Sequence, residues 1–370
     1  MISPQDSTGD PSLPQSENHR TMMHRCLELA RRGAGRTAPN PMVGAVVVKD
    51  RQIVGEGFHP QAGQPHAEVY ALRAAGAAAR GATLYVNLEP CNHTGRTPPC
   101  TEAVLQAGIS TVVIGMNDPN PQASGGIERL RSAGVTVITG IETALCKRLN
   151  EAFIHRVCHH QPFSILKYAM TLDGKIATDT GHSAWVTSPE SRQRVHQLRS
   201  QCDAVIVGGN TVRRDNPQLT SHGVSDVNPL RVVMSRHLEL PATAQLWLTE
   251  TAPTLVFTEV PQRQNTLPAQ VEVVSLKSLT PISVLNNLYQ RGLSTVLWEC
   301  GGTLTAAALS QGIIQKVWAF VAPKLIGGVH APTPVGTMGL NKMTEALVLQ
   351  NTELEKVGPD WLIQGYLEHS

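Results

Sequence analysis

Short apolar runs rich in β-branched residues alternate with helix-spaced stretches from residue 21 to about residue 140, which predicts an α/β domain on a central sheet. Residues 21–32 place Met22, Met23, Cys26, Leu29 and Ala30 at helical spacing and stop at Gly33, so a helix comes first. Residues 43–48 and 52–59 read as two strands of a hairpin, separated by Lys49-Asp50-Arg51, and the Ala-rich stretch 66–79 reads as a helix. A β run over 83–88 leads into Glu89-Pro90-Cys91. A helix over 99–107 and strands over 111–115 and 135–140 complete a sheet of about five strands.

Residues 142–159 carry a weak apolar stripe (Leu145, Leu149, Phe153, Val157) and read as a helical linker, which Gln161-Pro162 interrupts. Strand-like runs then resume at 163–169, 204–208, 230–234, 254–258, 271–275, 295–299 and 317–323, with helices between several of them. No internal repeat is visible, so two different α/β folds are expected, over residues 21–160 and 161–370. Residues 1–20, rich in Ser, Pro, Asp and Gln, are expected to form a disordered tail.

The 370 residues are 41% hydrophobic, enough for substantial cores in two domains. Lys and Arg total 31 against 29 Asp and Glu, and only 4% of residues are aromatic, so neither a basic groove nor a stacking platform for nucleic acid is present. No apolar run reaches the ~18–20 residues of a membrane helix, and the N-terminal segment lacks the cationic start and apolar core of a secretory signal. Seven cysteines, an odd number in a long chain, fit reduced thiols in a cytoplasm. A small-molecule substrate and a homo-oligomeric cytoplasmic protein are the expectation.

Candidate chemistry begins at His66-Ala67-Glu68, at the start of an expected helix, followed by Cys91 and then Cys100 at the start of another. One imidazole and two thiolates suit a tetrahedral Zn²⁺ with its fourth position open, and zinc lowers the pKa of a bound water to about 7. Glu68, two residues from His66, is placed to carry protons, the division of labour of zinc nucleobase deaminases. The competing reading is a structural zinc closed by His93, which would leave Glu68 without a role. The spacing between the cysteines departs from the Pro-Cys-x-x-Cys of plain cytidine deaminases. The residues between them, Asn92-His93-Thr94-Gly95-Arg96-Thr97-Pro98-Pro99, carry groups suited to a polar, phosphorylated ligand.

Three segments together resemble the bifunctional riboflavin-biosynthesis deaminase/reductase family: Pro39-Asn40-Pro41-Met42-Val43-Gly44, His66-Ala67-Glu68, and the loop from Pro90 through Cys100. The resemblance implies a cytidine-deaminase-like α/β/α fold with one zinc, and it implies that Asn40, His59, His93 and Arg96 contact the pyrimidine or its ribose phosphate. Arg96 stands where the family often has lysine.

The second half has no Gly-x-Gly-x-x-Gly fingerprint. It does have two glycine turns after expected strands, Gly208-Gly209-Asn210-Thr211 and Glu299-Cys300-Gly301-Gly302-Thr303, each before a helix-compatible stretch where backbone N–H groups can hold phosphate. Residues 167–177, 208–217 and 299–302 resemble the reductase half of the same family, in the same order. That half has a dihydrofolate-reductase-like fold. The resemblance therefore implies that NADPH lies along Ala169, Trp185, Thr211, Asp215 and the turn Gly301, Gly302, Thr303, Leu304, Thr305, Ala306 and Ala307. It also implies that Lys167, Ser183, Arg199, Leu219, His222 and Glu299 face the substrate, with Arg199 suited to the phosphate and Glu299 to sugar hydroxyls. His222 stands where the family usually has arginine and Ser235 where it usually has aspartate, so weakened substrate binding is expected. A deaminase for another base with a degenerate second half, and a zinc-stabilised nucleic-acid-binding protein, are the rival functions.

Overall fold

The structure, a computed structural model, describes residues 13–94, 98–261 and 266–367. The chain divides into two compact units, residues 1–158 and 159–370, whereas the sequence places the boundary at 160/161.

The first unit is a five-stranded sheet in the order β2-β1-β3-β4-β5. Its strands are β1 Gly44–Lys49, β2 Gln52–Phe58, β3 Thr83–Leu88, β4 Thr111–Met116 and β5 Thr136–Thr139. The hairpin β1–β2 and the pair β1–β3 are antiparallel, while β3, β4 and β5 run parallel. The central strand β1 is buried along Gly44–Val48, as a strand covered on both faces must be. Helix α1 (Leu13–Arg31) lies on one face and α2 (Ala67–Ala75) on the other. Two glycines permit the close approach: a Cβ at Gly44 would meet the Cys26 carbonyl oxygen of α1 at 2.1 Å, and one at Gly57 the Ala67 carbonyl oxygen of α2 at 2.5 Å. Met23, Cys26, Leu27 and Ala30 fill the α1 side; withdrawing Met23 or Leu27 from water contributes about 1.5–3 kcal/mol each. Helices α3 (Cys100–Gln106), α4 (Gly126–Ser132), α5 (Thr143–Leu149) and α6 (Glu151–His159) complete the unit.

Three expectations are corrected. Helix α1 begins at Leu13, so residues 13–20 are helical and not part of a disordered tail; residues 1–12 lie outside the described residues. The stretch 142–159 is two helices broken at Asn150, and α5 is no free linker, because Cys146 is fully buried in the first unit's core and Thr143 Oγ1 donates to the Gly115 carbonyl (2.7 Å). Helix α4 has no counterpart in the sequence reading.

The second unit is a nine-stranded sheet, order β10-β9-β8-β7-β11-β6-β12-β14-β13. Its strands are β6 Phe163–Thr171, β7 Ala204–Gly208, β8 Leu230–Met234, β9 Thr254–Thr258, β10 Glu272–Ser275, β11 Thr295–Trp298, β12 Lys316–Ala322, β13 Leu349–Val357 and β14 Asp360–Leu367. All pairs from β10 to β12 are parallel, and the hairpin β13–β14 adds antiparallel to β12. Crossover helices are α7 (Pro189–Gln201), capped by Ser188 Oγ accepting from Ser191 N–H, α8 (Gly209–Asp215), α9 (Pro281–Gln290), opened by a Thr280/Ser283 capping box, and α10 (Gly302–Ser310). The late strand β11 inserts between β6 and β7, so the carboxyl ends of these three strands lie side by side where the winding reverses, the place open α/β sheets bind ligands.

Candidate active sites

In the first unit, His66 is the N-cap of α2, with ψ 165°, and its ring makes no capping hydrogen bond. The imidazole turns instead to the cysteines: Nδ1 lies 3.2 Å from Cys100 Sγ and 3.6 Å from Cys91 Sγ, and Cys100 N–H donates to Cys91 Sγ (3.4 Å). Cys91 follows β3 and Cys100 opens α3, so each donor sits at the end of an element that fixes it. The three donor atoms all fall within 4.8 Å of one another. A tetrahedral zinc with bonds of about 2.0–2.3 Å needs donors roughly 3.3–3.8 Å apart, so the set fits that ion.

The charges agree with ligation. The Cys91 thiol is drawn down to about 4 by the Cys100 thiol and the His66 ring beside it, against the effect of burial. His66 is raised, chiefly by its hydrogen bond to Cys91. Among the described residues no fourth donor joins the group, and His93 is exposed, so a zinc closed by His93 is not what the fold builds. Glu68, on the first turn of α2, is buried and its Oε2 has no hydrogen-bond partner; burial pushes its carboxyl up to about 7. A buried carboxyl oxygen with nothing to bond is expensive unless a ligand completes it.

His59 and Asn40 sit beside this centre. The His59 ring packs edge-on to His66 at 5.3 Å, and burial lowers its pKa, so it is neutral. Its Nδ1 faces the Pro65 carbonyl (3.0 Å), which can only accept, so Nδ1 carries the proton and Nε2 accepts from the Asn40 amide (3.1 Å). His93 lies on the exposed loop after Cys91, and Arg96 lies outside the described residues.

Four supporting residues escape the sequence reading. The Met42 carbonyl accepts from the amides of Asn87 and Asn150 (both 3.0 Å), and Met42 N–H donates to Asn150 Oδ1 (2.8 Å), which fixes the turn that presents Asn40. Glu89, next to Pro90-Cys91, accepts from the N–H groups of Asp118, Gly125 and Ile127 at 3.0, 3.0 and 3.1 Å, and so holds the 118–127 segment against the cysteines. Burial raises Asp118 to about 6. Only Glu89, as the first residue of Glu-Pro-Cys, carried a local signal.

In the second unit the register explains the central cluster. Trp298 pairs with Leu166, so the next residues out, Glu299 and Lys167, emerge side by side at the strand ends. Lys167 Nζ donates to Glu299 Oε2 (3.3 Å), while Arg199 from α7 donates through Nε to Oε1 (2.6 Å) and through Nη2 to Oε2 (3.1 Å). Burial alone would raise Glu299, but Arg199 and then Lys167 outweigh it and hold the carboxyl at about 2. Arg199 is therefore bound to Glu299 and to the Thr220 carbonyl through three of its five N–H groups. Leu219 is buried at φ +55°, and His222 is exposed at φ +50°.

Gly301 is the N-cap of α10, with open space where a Cβ would stand, so a cofactor can approach its backbone. Gly302 is crowded from behind, where a Cβ would meet the Thr333 carbonyl oxygen at 2.7 Å. Thr303, Leu304 and Ala307 are partly or fully exposed; Thr305 and Ala306 are buried, so they shape the turn. Ala169 lies on β6 and Thr211 on α8, whose last residue, Asp215, accepts from Ser183 Oγ (3.0 Å). Trp185 is 68% exposed at φ +64°, with the Arg192 guanidinium 4.2 Å over its ring and Lys324 Nζ donating to its carbonyl (2.7 Å). An indole propped this way, uncovered on its outer side, fits a flat cofactor ring.

Residues 16–116 match the family model described as the cytidine and deoxycytidylate deaminase zinc-binding region, and residues 162–363 match the RibD C-terminal domain. The class is thus a zinc-dependent deaminase fused to an NADPH-dependent reductase. The chain is 62% identical over 352 residues to the riboflavin biosynthesis protein RibD of Synechocystis sp., covering 94% of this chain and 96% of that one. With the RibD of Escherichia coli it shares 38% identity over 364 residues, 91% and 96% of the two chains. A crystal structure of the diaminohydroxyphosphoribosylaminopyrimidine deaminase/5-amino-6-(5-phosphoribosylamino)uracil reductase from Thermotoga maritima superposes with TM-score 0.87 at 39% identity, over 95% of this chain and 99% of that one. Acinetobacter baumannii RibD gives 0.86 at 38% identity, covering 96% and 100%. This chain belongs to the RibD family of bifunctional riboflavin-biosynthesis enzymes.

Proposed function

We propose that the first unit hydrolyses the 2-amino group of 2,5-diamino-6-(5-phosphoribosylamino)pyrimidin-4(3H)-one, giving 5-amino-6-(5-phosphoribosylamino)uracil and ammonia, and that the second reduces the ribosyl group of that product to ribityl. The observation that carries the first step is the pairing of a three-donor His/Cys/Cys group with a buried, unpartnered Glu68 oxygen. Zinc, held by His66, Cys91 and Cys100, supplies the Lewis acidity that makes water nucleophilic near neutral pH. Glu68 takes the proton from the attacking water at its carboxylate and delivers it to the departing amine, as the C2–O bond forms and the C2–N bond breaks. Asn40, its amide bound to His59 Nε2, turns its carboxamide oxygen to the pyrimidine; His93 and Arg96 receive the ribose phosphate.

In the second unit the turn 301–307, Ala169, Trp185, Thr211 and Asp215 hold NADPH, which supplies the hydride for C1′ of the ring-opened ribose. Lys167 and Glu299 orient the sugar, with Ser183 and Leu219 along its side. Exposed apolar side chains at Leu325, Val329, Met343 and Leu354 support the expected self-association, which size-exclusion chromatography checks. Among the described residues no helix is long and apolar enough to cross a membrane. The seven free cysteines fit the cytoplasmic location proposed here.

The test adds the diaminopyrimidine phosphate with and without NADPH and follows ammonia and NADPH together. Ammonia release must precede NADPH oxidation, and Glu68→Gln must keep its zinc while losing about 10²–10⁴-fold in ammonia release. Unchanged deamination by that variant refutes the proton-carrier role, and absent NADPH oxidation with the deaminated product refutes the second activity.

A further inference from the structure

Glu89 carries a buried carboxylate whose partners are three backbone N–H groups from one stretch of chain. Oε2 accepts from Asp118 (3.0 Å), and Oε1 accepts from Gly125 (3.0 Å) and Ile127 (3.1 Å). One side chain thus ties both ends of the 118–127 loop, with the strength of a charged acceptor. Its own backbone is fixed, because Leu88 pairs with Met116 across β3 and β4 and Glu89 N–H donates to the Met116 carbonyl (2.9 Å). The loop lies flush on the chain that carries Cys91: Asn92 N–H donates to the Ala123 carbonyl (3.0 Å), and a Cβ at Gly126 would meet the Pro90 carbonyl oxygen at 2.0 Å. The metal donors are held by other means. Cys100 N–H donates to Cys91 Sγ and Thr101 N–H to the Cys91 carbonyl (3.3 Å), both from the start of α3, while His66 belongs to α2. What the loop does bring to the centre is Asp118, whose carboxylate stands within electrostatic reach of His66, Cys91 and His93 and accepts from Asn120 N–H (2.8 Å).

We propose that Glu89 is a positioning residue for deamination: through its three backbone N–H bonds it sets the 118–124 loop as a wall of the substrate pocket beside the metal, without setting the metal donors themselves. The proposal rests on the deaminase reading above and gives Glu89 a part in it. The wall is polar where it meets the centre, so its place governs how firmly a polar substrate is held. Activation of the attacking water belongs to zinc and Glu68, which the loop does not carry. Loosening Glu89 therefore removes binding shared by the ground state and the transition state: KM rises and kcat holds. A role confined to general stability would show no such division between the two constants.

Glu89→Gln keeps the shape of the side chain and removes one acceptor. The single amide oxygen serves Gly125 and Ile127, and the NH2 group then meets the Asp118 N–H, so the 118 end alone is freed. In the zinc-loaded full chain, hydrogen exchange at the Asp118 amide must quicken about tenfold, the size of one lost hydrogen bond to a charged group, while the Ile127 amide keeps its rate. The KM for the diaminopyrimidine phosphate, read by ammonia release, must rise about tenfold with kcat held within about twofold. The visible bands of the cobalt-substituted chain must not move. Gly126→Ala presses the loop off Pro90 from the other side and must give the same split. An unchanged KM in both variants overturns the proposal. So does a fall in kcat with displaced cobalt bands, because Glu89 would then act on the metal donors. A native chain that releases no ammonia sinks the deaminase reading instead, and the exchange rates of Glu89→Gln still decide whether Glu89 anchors the loop, so the two failures are distinct.

Discussion

Replacing Glu299 by glutamine removes the carboxylate that binds Arg199 and Lys167, in a place where its side chain is only 9% exposed. The folded pKa of about 2 against an ordinary 4.5 corresponds to about 3 kcal/mol, at ~1.4 kcal/mol per pH unit. Stranding partners of a buried pair costs about 3–5 kcal/mol by general experience, which is the same interaction seen from the other side and not an addition. A folded pKa below the unfolded one means the stabilisation is present above pH 4.5 and lost as pH falls towards 2. All five tryptophans, at 185, 247, 298, 318 and 361, lie in the second unit, so tryptophan fluorescence follows its unfolding alone. Urea melts of Glu299→Gln at pH 7 must therefore show a loss of about 3 kcal/mol, and the gap from the native chain must narrow as the buffer is taken from pH 4.5 downward. An unchanged urea midpoint at pH 7, or a gap indifferent to acid, refutes the account of the cluster.

Chelation of zinc is expected to stop ammonia release while leaving NADPH oxidation of the deaminated substrate intact, measured on one sample with both readouts. Asn150→Ala deletes two hydrogen bonds to Met42; a loss of about 1–3 kcal/mol and a raised deaminase KM should follow, with zinc content by atomic absorption unchanged. Gly302→Ala places a Cβ against the Thr333 carbonyl oxygen, which should shift the turn and weaken NADPH binding in a fluorescence titration without altering deamination.

The zinc group was legible because each part is local: His66 and Glu68 share one helix start, and Cys91 and Cys100 flank one loop. The strands over 83–88 and 204–208 were legible for the same reason, since a buried apolar run bounded by turn residues needs no distant partner to be read. What escaped depends on partners far along the chain. Asn87 lies within an expected strand and Asn150 within an expected helix, and neither shows a role until both amides are seen on the Met42 carbonyl, from 45 and 108 positions away. Arg199 and Glu299 were each given a substrate group, but 100 residues of separation concealed that they bond to one another. Strand β13 is largely exposed and polar, so neither apolar alternation nor a buried run announced it.

Two buried carboxyls, one in each unit, show how neighbours decide what the same group can do. Glu68 is buried with one oxygen unpartnered, and burial lifts its pKa to about 7, close enough to neutral for a proton to come and go. Glu299 is buried as well, yet Arg199 and Lys167 hold it near 2, so it stays an anion across the whole physiological range. A proton carrier must be free to change charge and a positioning anchor must not. Exchanging these environments would therefore disable both steps: a guanidinium beside Glu68 would pin it as an anion, and a Glu299 without its cations would become an acid. The sign of the shift, more than the residue type, separates the role proposed for Glu68 in deamination from the role proposed for Glu299 in holding the sugar.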